Sequence, residues 1–249
     1  MNDTSPSKVA DVTLAFWIMK IFATTLGETG GDAVSMSLDL GYLVGTAIFA
    51  VVFAIAVAAQ IKAERFHPVL YWLTIVATTT VGTTLADFAD RSLGIGYAGG
   101  SVLLLVLLFG SFLVWYRTLG TVAIENIRSS RAEAFYWVTI MFSQTLGTAL
   151  GDWTASYEAL GYTGAMLIFG SLIAIVAGLY FWSRISHTVL FWAAFVLTRP
   201  LGAVLGDFLD KPTDEGGLAL SRFAASAVLL GLIVFCLVFF PQRAAQRAH

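Results

Sequence analysis

The sequence predicts an all-α integral membrane protein: eight transmembrane helices arranged as four parallel two-helix repeats, in two pseudo-symmetric halves, with the odd helices forming the inner layer. Three observations predict it. Hydrophobic residues make up 58% of the chain and charged residues 12%, with a mean hydropathy of +0.81, which excludes an ordinary soluble domain. The apolar residues gather into eight runs of helical length. A Trp-x9-Gly-x4-Asp frame recurs four times, as Trp17/Gly27/Asp32, Trp72/Gly82/Asp87, Trp137/Gly147/Asp152 and Trp192/Gly202/Asp207.

The runs cover 12–33, 41–61, 68–88, 99–119, 134–153, 163–182, 189–208 and 218–240. Each is close to the ~20 residues that cross a ~30 Å hydrocarbon core at ~1.5 Å rise per residue. The first run is followed by seven more and by no A-x-A-like site, so it reads as a retained helix rather than a cleaved signal. The single Cys236 lies inside the last run; it excludes a disulfide within the chain and reads as packing. Gly41-Tyr42, Gly96-Tyr97 and Gly161-Tyr162 follow their frame Asp at nearly one spacing, a glycine for a tight turn and a tyrosine for the membrane surface.

Charge sets the orientation. Lys8, Lys62, Arg65, Arg117, Arg128, Arg131, Arg184, Arg243 and Arg247 lie on one side of the runs, and only Arg91, Lys211 and Arg222 on the other. The positive-inside bias then puts both termini in the cytoplasm, and a bacterial inner membrane is the expected location. Asn2-Asp3-Thr4 matches a glycosylation acceptor by pattern alone, which carries no meaning on a cytoplasmic terminus.

Asp32 to Asp152 and Asp87 to Asp207 are both separated by 120 residues, as are His67 and His187. The chain therefore divides into a first half (1–120), a cytoplasmic linker (121–133) and a second half (134–249). Each repeat holds two helices, so all four repeats run in the same sense, unlike the inverted repeats of many transporters. Four tandem two-helix units with Trp, Gly and Asp in fixed frame resemble the bacterial membrane family called repeat of unknown function 347, whose members are described as uncharacterised membrane-anchored proteins. The resemblance spans essentially the whole chain and implies a four-repeat multi-pass membrane protein. It brings no activity, substrate or cofactor.

The frame separates by position along the helix. Trp and Asp are 15 residues apart, ~22 Å of rise, which places them near opposite surfaces. Trp17, Trp72, Trp137 and Trp192 read as interfacial anchors, with an aromatic constriction around a central path as the second reading. Gly27/Gly31, Gly82/Ala86, Gly147/Gly151 and Gly202/Gly206 are small-x3-small pairs that let backbones approach in lipid. The face that carries Asp reads Thr25/Glu28/Asp32, Thr80/Thr83/Asp87, Thr145/Thr148/Asp152 and Pro200/Ala203/Asp207. Carboxylates at membrane depth are costly unless partnered, and hard oxygen ligands suit Mn²⁺, Mg²⁺ or Ca²⁺. Asp32, Asp87, Asp152, Asp207 and Glu28 are the candidate metal ligands, with Thr25, Thr80, Thr83, Thr145 and Thr148 beside them.

Arg199 stands where the other repeats have Thr24, Thr79 and Gln144. It reads either as an ion-pair partner of Glu28 or a frame Asp, or as a gate or counter-charge. Lys20 reads as a snorkelling side chain, His67 and His187 as capping or interface residues, and Asp90 and Asp210 as solvated helix-end acids.

These observations point to a transporter for a small inorganic cation, a divalent metal such as manganese or a proton. A cation channel, and a structural or signalling membrane protein without transport, are the alternatives. No enzyme is expected: there is no H-E-x-x-H, nucleophile elbow or phosphate loop. No cofactor and no nucleic-acid partner are expected; the lipid bilayer and a small cation are, and homo-oligomerisation is compatible with all three readings.

Overall fold

The computed structural model describes residues 7–245; the Asn2-Asp3-Thr4 pattern and Arg247 lie outside them. Within this range eight long helices form in the expected order: α1 (Leu14–Asp32), α2 (Gly41–Lys62), α3 (Pro68–Asp87), α4 (Tyr97–Leu119), α5 (Ser130–Ala155), α6 (Gly161–Trp182), α7 (His187–Asp210) and α8 (Arg222–Phe239). No strand forms among the described residues beyond one β-bridge, Ala10 to Ala244. Short π-helical turns, Ala33–Ser37 and Phe88–Ser92, continue α1 and α3 past Asp32 and Asp87.

Local chemistry explains the boundaries. Thr13 and Ser129 cap α1 and α5, accepting from Phe16 N and Ala132 N at 3.2 Å each, and Pro68 opens α3 where its missing N–H costs nothing. Gly41, Gly96 and Gly161 have φ of +74°, +74° and +54°, so the glycine of each Gly-Tyr pair supplies a left-handed turn. Two helix starts move by four residues from expectation. Ser129 capping starts α5 before residue 134. The segment expected to open the last run instead returns on α7, with Leu218 N, Ala219 N and Leu220 N donating to Phe208 O, Lys211 O and Leu209 O at 2.8–2.9 Å, so α8 begins only at Arg222.

Six helices are long and apolar enough to cross a membrane: α2, α3 with its π-helical extension, α4, α6, α7 and α8. The apolar stretches of α3 and α7 are 72% and 67% buried, whereas those of α2, α4, α6 and α8 are 11% or 22% buried. The odd helices are therefore the inner layer, and the even helices show their leucines, valines and phenylalanines outward. α1 and α5 fall short of the same hydropathy because they carry Lys20, Glu28 and Asp32, and Glu133, Gln144 and Asp152. Those residues are buried within the protein, where polar groups can find partners.

The inner helices contact in a closed ring, α1 to α3 to α5 to α7 and back to α1. The small frame residues make that approach possible. A Cβ added to Gly27 would collide with the Thr79 side chain, on Gly82 it would lie 3.0 Å from Gln144 Cβ, on Gly147 it would collide with Arg199, and on Gly202 with Thr24. Each frame Gly thus receives the residue three positions before the frame Gly of the next helix. The outer helices follow the same rotation: α2 packs on α3, α4 on α5, α6 on α7, and α8 closes the circle on α1.

The Trp end corrects one expectation. Trp72, Trp137 and Trp192 are buried and Trp17 is half-buried, so they are not membrane-surface anchors. Each packs on the aromatic residue just before the preceding frame Trp: Trp72 on Phe16, Trp137 on Tyr71, Trp192 on Tyr136 and Trp17 on Phe191, with ring centroids 5.5, 5.8, 6.0 and 5.8 Å apart. Tyr71 and Tyr136 join through their hydroxyls at 2.7 Å. These rings bury large apolar area and gain about 0.5–1.5 kcal/mol per pair beyond it. They plug the axis of the ring.

The plug is capped by chain. Residues 7–11, the start of the 121–133 segment and Arg243–Ala245 interlace beneath it: Lys8 N donates to Ile127 O, Asp11 N to Arg243 O, Ala245 N to Val9 O, and Ser7 Oγ to Ile124 O. Trp192 Nε1 donates to Val122 O and Trp72 Nε1 to Gln242 Oε1. The 121–133 segment is therefore part of the closed end, with Ile127 fully buried, and Lys8 pairs with Glu133.

Candidate functional site

From the aromatic plug toward the Asp end, the inner ring is built in layers fixed by the repeat. The residue after each frame Gly is Glu28, Thr83, Thr148 or Ala203, and the position four residues further on is the frame Asp. Residues four apart lie on one face, so the four helices bring two successive layers of oxygen atoms toward one axis. Arg199 reaches into the first of these, the layer nearer the plug, from below.

Arg199 is fully buried and touches every other inner helix. Its Nη2 donates to Glu28 Oε2 at 2.9 Å on α1, to Thr83 Oγ1 at 2.6 Å on α3, and to Thr148 Oγ1 on α5, while Nη1 donates to Thr24 O at 3.4 Å. The Glu28 contact is a buried ion pair, as the first of the two sequence readings expected. Ala203 makes room for the arrangement: the one repeat that supplies the arginine has no oxygen in this layer.

Beyond it the four frame carboxylates are all buried, and two cations divide them into pairs. Arg91 Nε lies 2.9 Å from Asp87 Oδ1 and its Nη2 3.5 Å from Asp152 Oδ2. Lys211 Nζ pairs with Asp32, lies 3.0 Å from Asp207 Oδ1 and 3.9 Å from Asp210 Oδ1. Arg222 Nε donates to Asp210 Oδ2 at 2.6 Å and lies 3.8 Å from Asp32 Oδ2. Burial opposes the charge on Lys211, but Asp207, Asp32 and Asp210 outweigh it and raise its pKa above the ordinary lysine range. Asp210 is thus a buried member of the network rather than a solvated helix end, whereas Asp90 is only half-buried, against Gly100 on α4.

Glu28 links the two pairs. One carboxylate oxygen from each of Glu28, Asp32 and Asp87 lies within 4.8 Å of the other two, and the same holds for Glu28, Asp152 and Asp207, and for Asp32, Asp207 and Asp210. Such separations suit oxygen ligands around one hard cation. Asp152 Oδ1 is buried and accepts no hydrogen bond among the described residues.

Five of the sequence-predicted site residues, Glu28, Asp32, Asp87, Asp152 and Asp207, thus converge, with Thr83, Thr148 and Arg199 against Glu28. Thr25, Thr80 and Thr145 do not join them. Their hydroxyls donate to Ile21 O, Val76 O and Met141 O of their own helices at 2.8–2.9 Å, which satisfies them locally. Sequence reasoning passed over Arg91 and Lys211 as ligands of the Asp row. Two signals marked them: each stands four residues after a frame Asp, and they share the 120-residue offset of the halves. The Phe or Tyr before every frame Trp was likewise a fourfold repeat.

A family model described as Repeat of Unknown Function (DUF347) matches residues 15–66, 70–121, 135–186 and 190–244. No curated protein and no solved structure matches the chain. The four matched segments coincide with the four pairs of inner and outer helices.

Proposed function

Since the chain belongs to the family of the Repeat of Unknown Function, all four copies of which it carries in one closed ring, we propose that the ring is the transport unit of a membrane transporter for a small inorganic cation, a divalent metal such as manganese or a proton. In this reading all eight helices cross the bacterial inner membrane with both termini in the cytoplasm. α1 and α5 cross as inner members shielded by the others, and the Trp end faces inward by the positive-inside bias.

One observation carries the reading. Six carboxylates, Glu28, Asp32, Asp87, Asp152, Asp207 and Asp210, face four cationic side chains, Arg91, Arg199, Lys211 and Arg222. The excess of two matches one divalent cation or two protons, and buried carboxylates left without a partner are strongly disfavoured at membrane depth. Glu28 would serve as the shared ligand, with the Asp pairs releasing Arg91 or Lys211 as a cation enters. Arg199 and the aromatic plug fill the axis on the Trp side, which supports a transporter that must rearrange over an open cation channel.

The non-transporting alternative draws support from the ion pairs, which could simply knit the helices together. Reconstituted vesicles loaded with a metal-sensitive or a pH-sensitive dye separate the two. Wild type is expected to move at least one of these cations, and Asp32→Asn and Asp152→Asn to slow that flux by at least about tenfold. Unchanged flux in both variants would overturn the transport site, and an inert wild type would favour the structural reading.

A further inference from the structure

Beneath the Arg199 head, toward the Trp end, the inner helices enclose a second polar group of opposite character. Lys20 on α1 is fully buried; its Nζ has no hydrogen-bond partner among the described residues and lies 4.1 Å from the centre of the Phe195 ring. Thr79 Oγ1 on α3, Ser143 Oγ and both amide atoms of Gln144 on α5, and Arg199 Nε on α7 are also buried and without such a partner among the described residues. Thr79, Gln144 and Arg199 occupy the same register, three residues before the frame Gly. Ser143 stands one residue, and Lys20 four, further toward the Trp end, so the set occupies about one helical turn of the ring, ~6 Å along its axis.

Beside the one amide acceptor, Gln144 Oε1, donors predominate in this group. It holds an ammonium, a guanidinium N–H, an amide NH₂ and two hydroxyls. No carboxylate pairs with Lys20 among the described ion pairs, and the charge that bears on it is Arg199, of the same sign. Arg199 has its own acid, Glu28, on the far side of its head. The ring of Phe195 offers only a weak cation–π contact. A buried ammonium keeps its charge only beside a partner, and Lys20 has no such partner among the described residues.

We propose that Lys20, Arg199 Nε, Gln144, Thr79 and Ser143 form a binding site for one small monovalent inorganic anion of halide size, stacked on the ring axis beneath the acidic chamber. A single negative charge balances Lys20, and a monatomic ion takes its donors from all directions, as four surrounding helices provide them. A larger oxyanion would need a wider chamber than a ring whose frame glycines touch their neighbours' side chains. This site stands independently of the cation reading above, because none of its atoms is a carboxylate.

The test uses the purified full-length protein. Thermal unfolding is followed while sodium gluconate is replaced by sodium chloride or bromide at constant sodium concentration and ionic strength. Wild type and the control Thr25→Val are expected to gain saturable, halide-specific stabilisation of several degrees. Lys20→Met and, separately, Gln144→Leu are expected to weaken the apparent halide affinity at least tenfold. A bromide-soaked crystal is expected to show an anomalous peak beside Lys20 Nζ. No halide-specific shift in wild type would overturn the proposal. So would an unchanged halide midpoint in Gln144→Leu, the variant that decides the matter if Lys20→Met does not fold.

Discussion

At the scale of single residues, Arg199 is the point on which the ring turns. Its side chain bonds to all three other inner helices, and it does so from full burial. Arg199→Met would leave Glu28 ionisable, buried and without its cation, and removing one partner of a buried pair costs about 3–5 kcal/mol. Replacing both partners costs much less, so the Arg199→Met/Glu28→Met double variant is expected to recover most of that loss. Chemical unfolding of the detergent-solubilised protein measures both. The second guanidinium nitrogen also matters: Arg199→Lys keeps the charge but loses the Nη1 bond to Thr24 O, and is expected to fall between wild type and Arg199→Met. In sequence, Arg199 stood out as the only cation in its frame register, with Glu28 or a frame Asp as its expected partner. Arg91 and Lys211 did not stand out. A charge at a predicted helix end reads as solvated until its carboxylate neighbours are known.

At the scale of elements, the fourfold contact of frame glycines with the next helix explains why the odd helices are inner. Gly147→Ala places a methyl group against Arg199 and Pro200. Overpacking of this kind costs about 1–3 kcal/mol, and here it also displaces the arginine from Glu28. Gly110→Ala on α4 and Gly170→Ala on α6 meet nothing within 4 Å; each is expected to be neutral or to stabilise by up to about 1 kcal/mol through helix propensity. Unfolding of the three variants side by side checks the contrast. The small-x3-small stripes made close approach legible in the sequence. They could not say which helix approaches which, since a stripe specifies a smooth face and not its partner. The Trp row shows the opposite failure. Tryptophan near a helix end usually marks the membrane surface, but here an aromatic neighbour in every repeat gives each Trp a partner inside the ring, and burial wins.

At the scale of the whole molecule, the repeats close on themselves: each outer helix covers the next repeat's inner helix, and α8 returns to α1. That closure joins the first and last helices of the chain, as does the pairing of Val9 and Asp11 with Arg243 and Ala245. Helix number, repeat frame and inner–outer order were all legible from periodicity. The closed cap was not, because short polar segments carry no period. Orientation is checked by labelling in a Cys236→Ser background: Asp39→Cys is expected to react with an impermeant maleimide from outside intact cells, and Glu64→Cys only after permeabilisation. The convergence of the Asp row and Glu28 on one axis, with Thr25 turned onto its own helix, is the feature on which the functional reading depends. Cation flux into reconstituted vesicles, compared between Glu28→Gln and Thr25→Val, tests it most directly. Glu28→Gln is expected to lower flux at least about tenfold while Thr25→Val stays near wild type; equal loss in both, or full flux in Glu28→Gln, would contradict a shared carboxylate site.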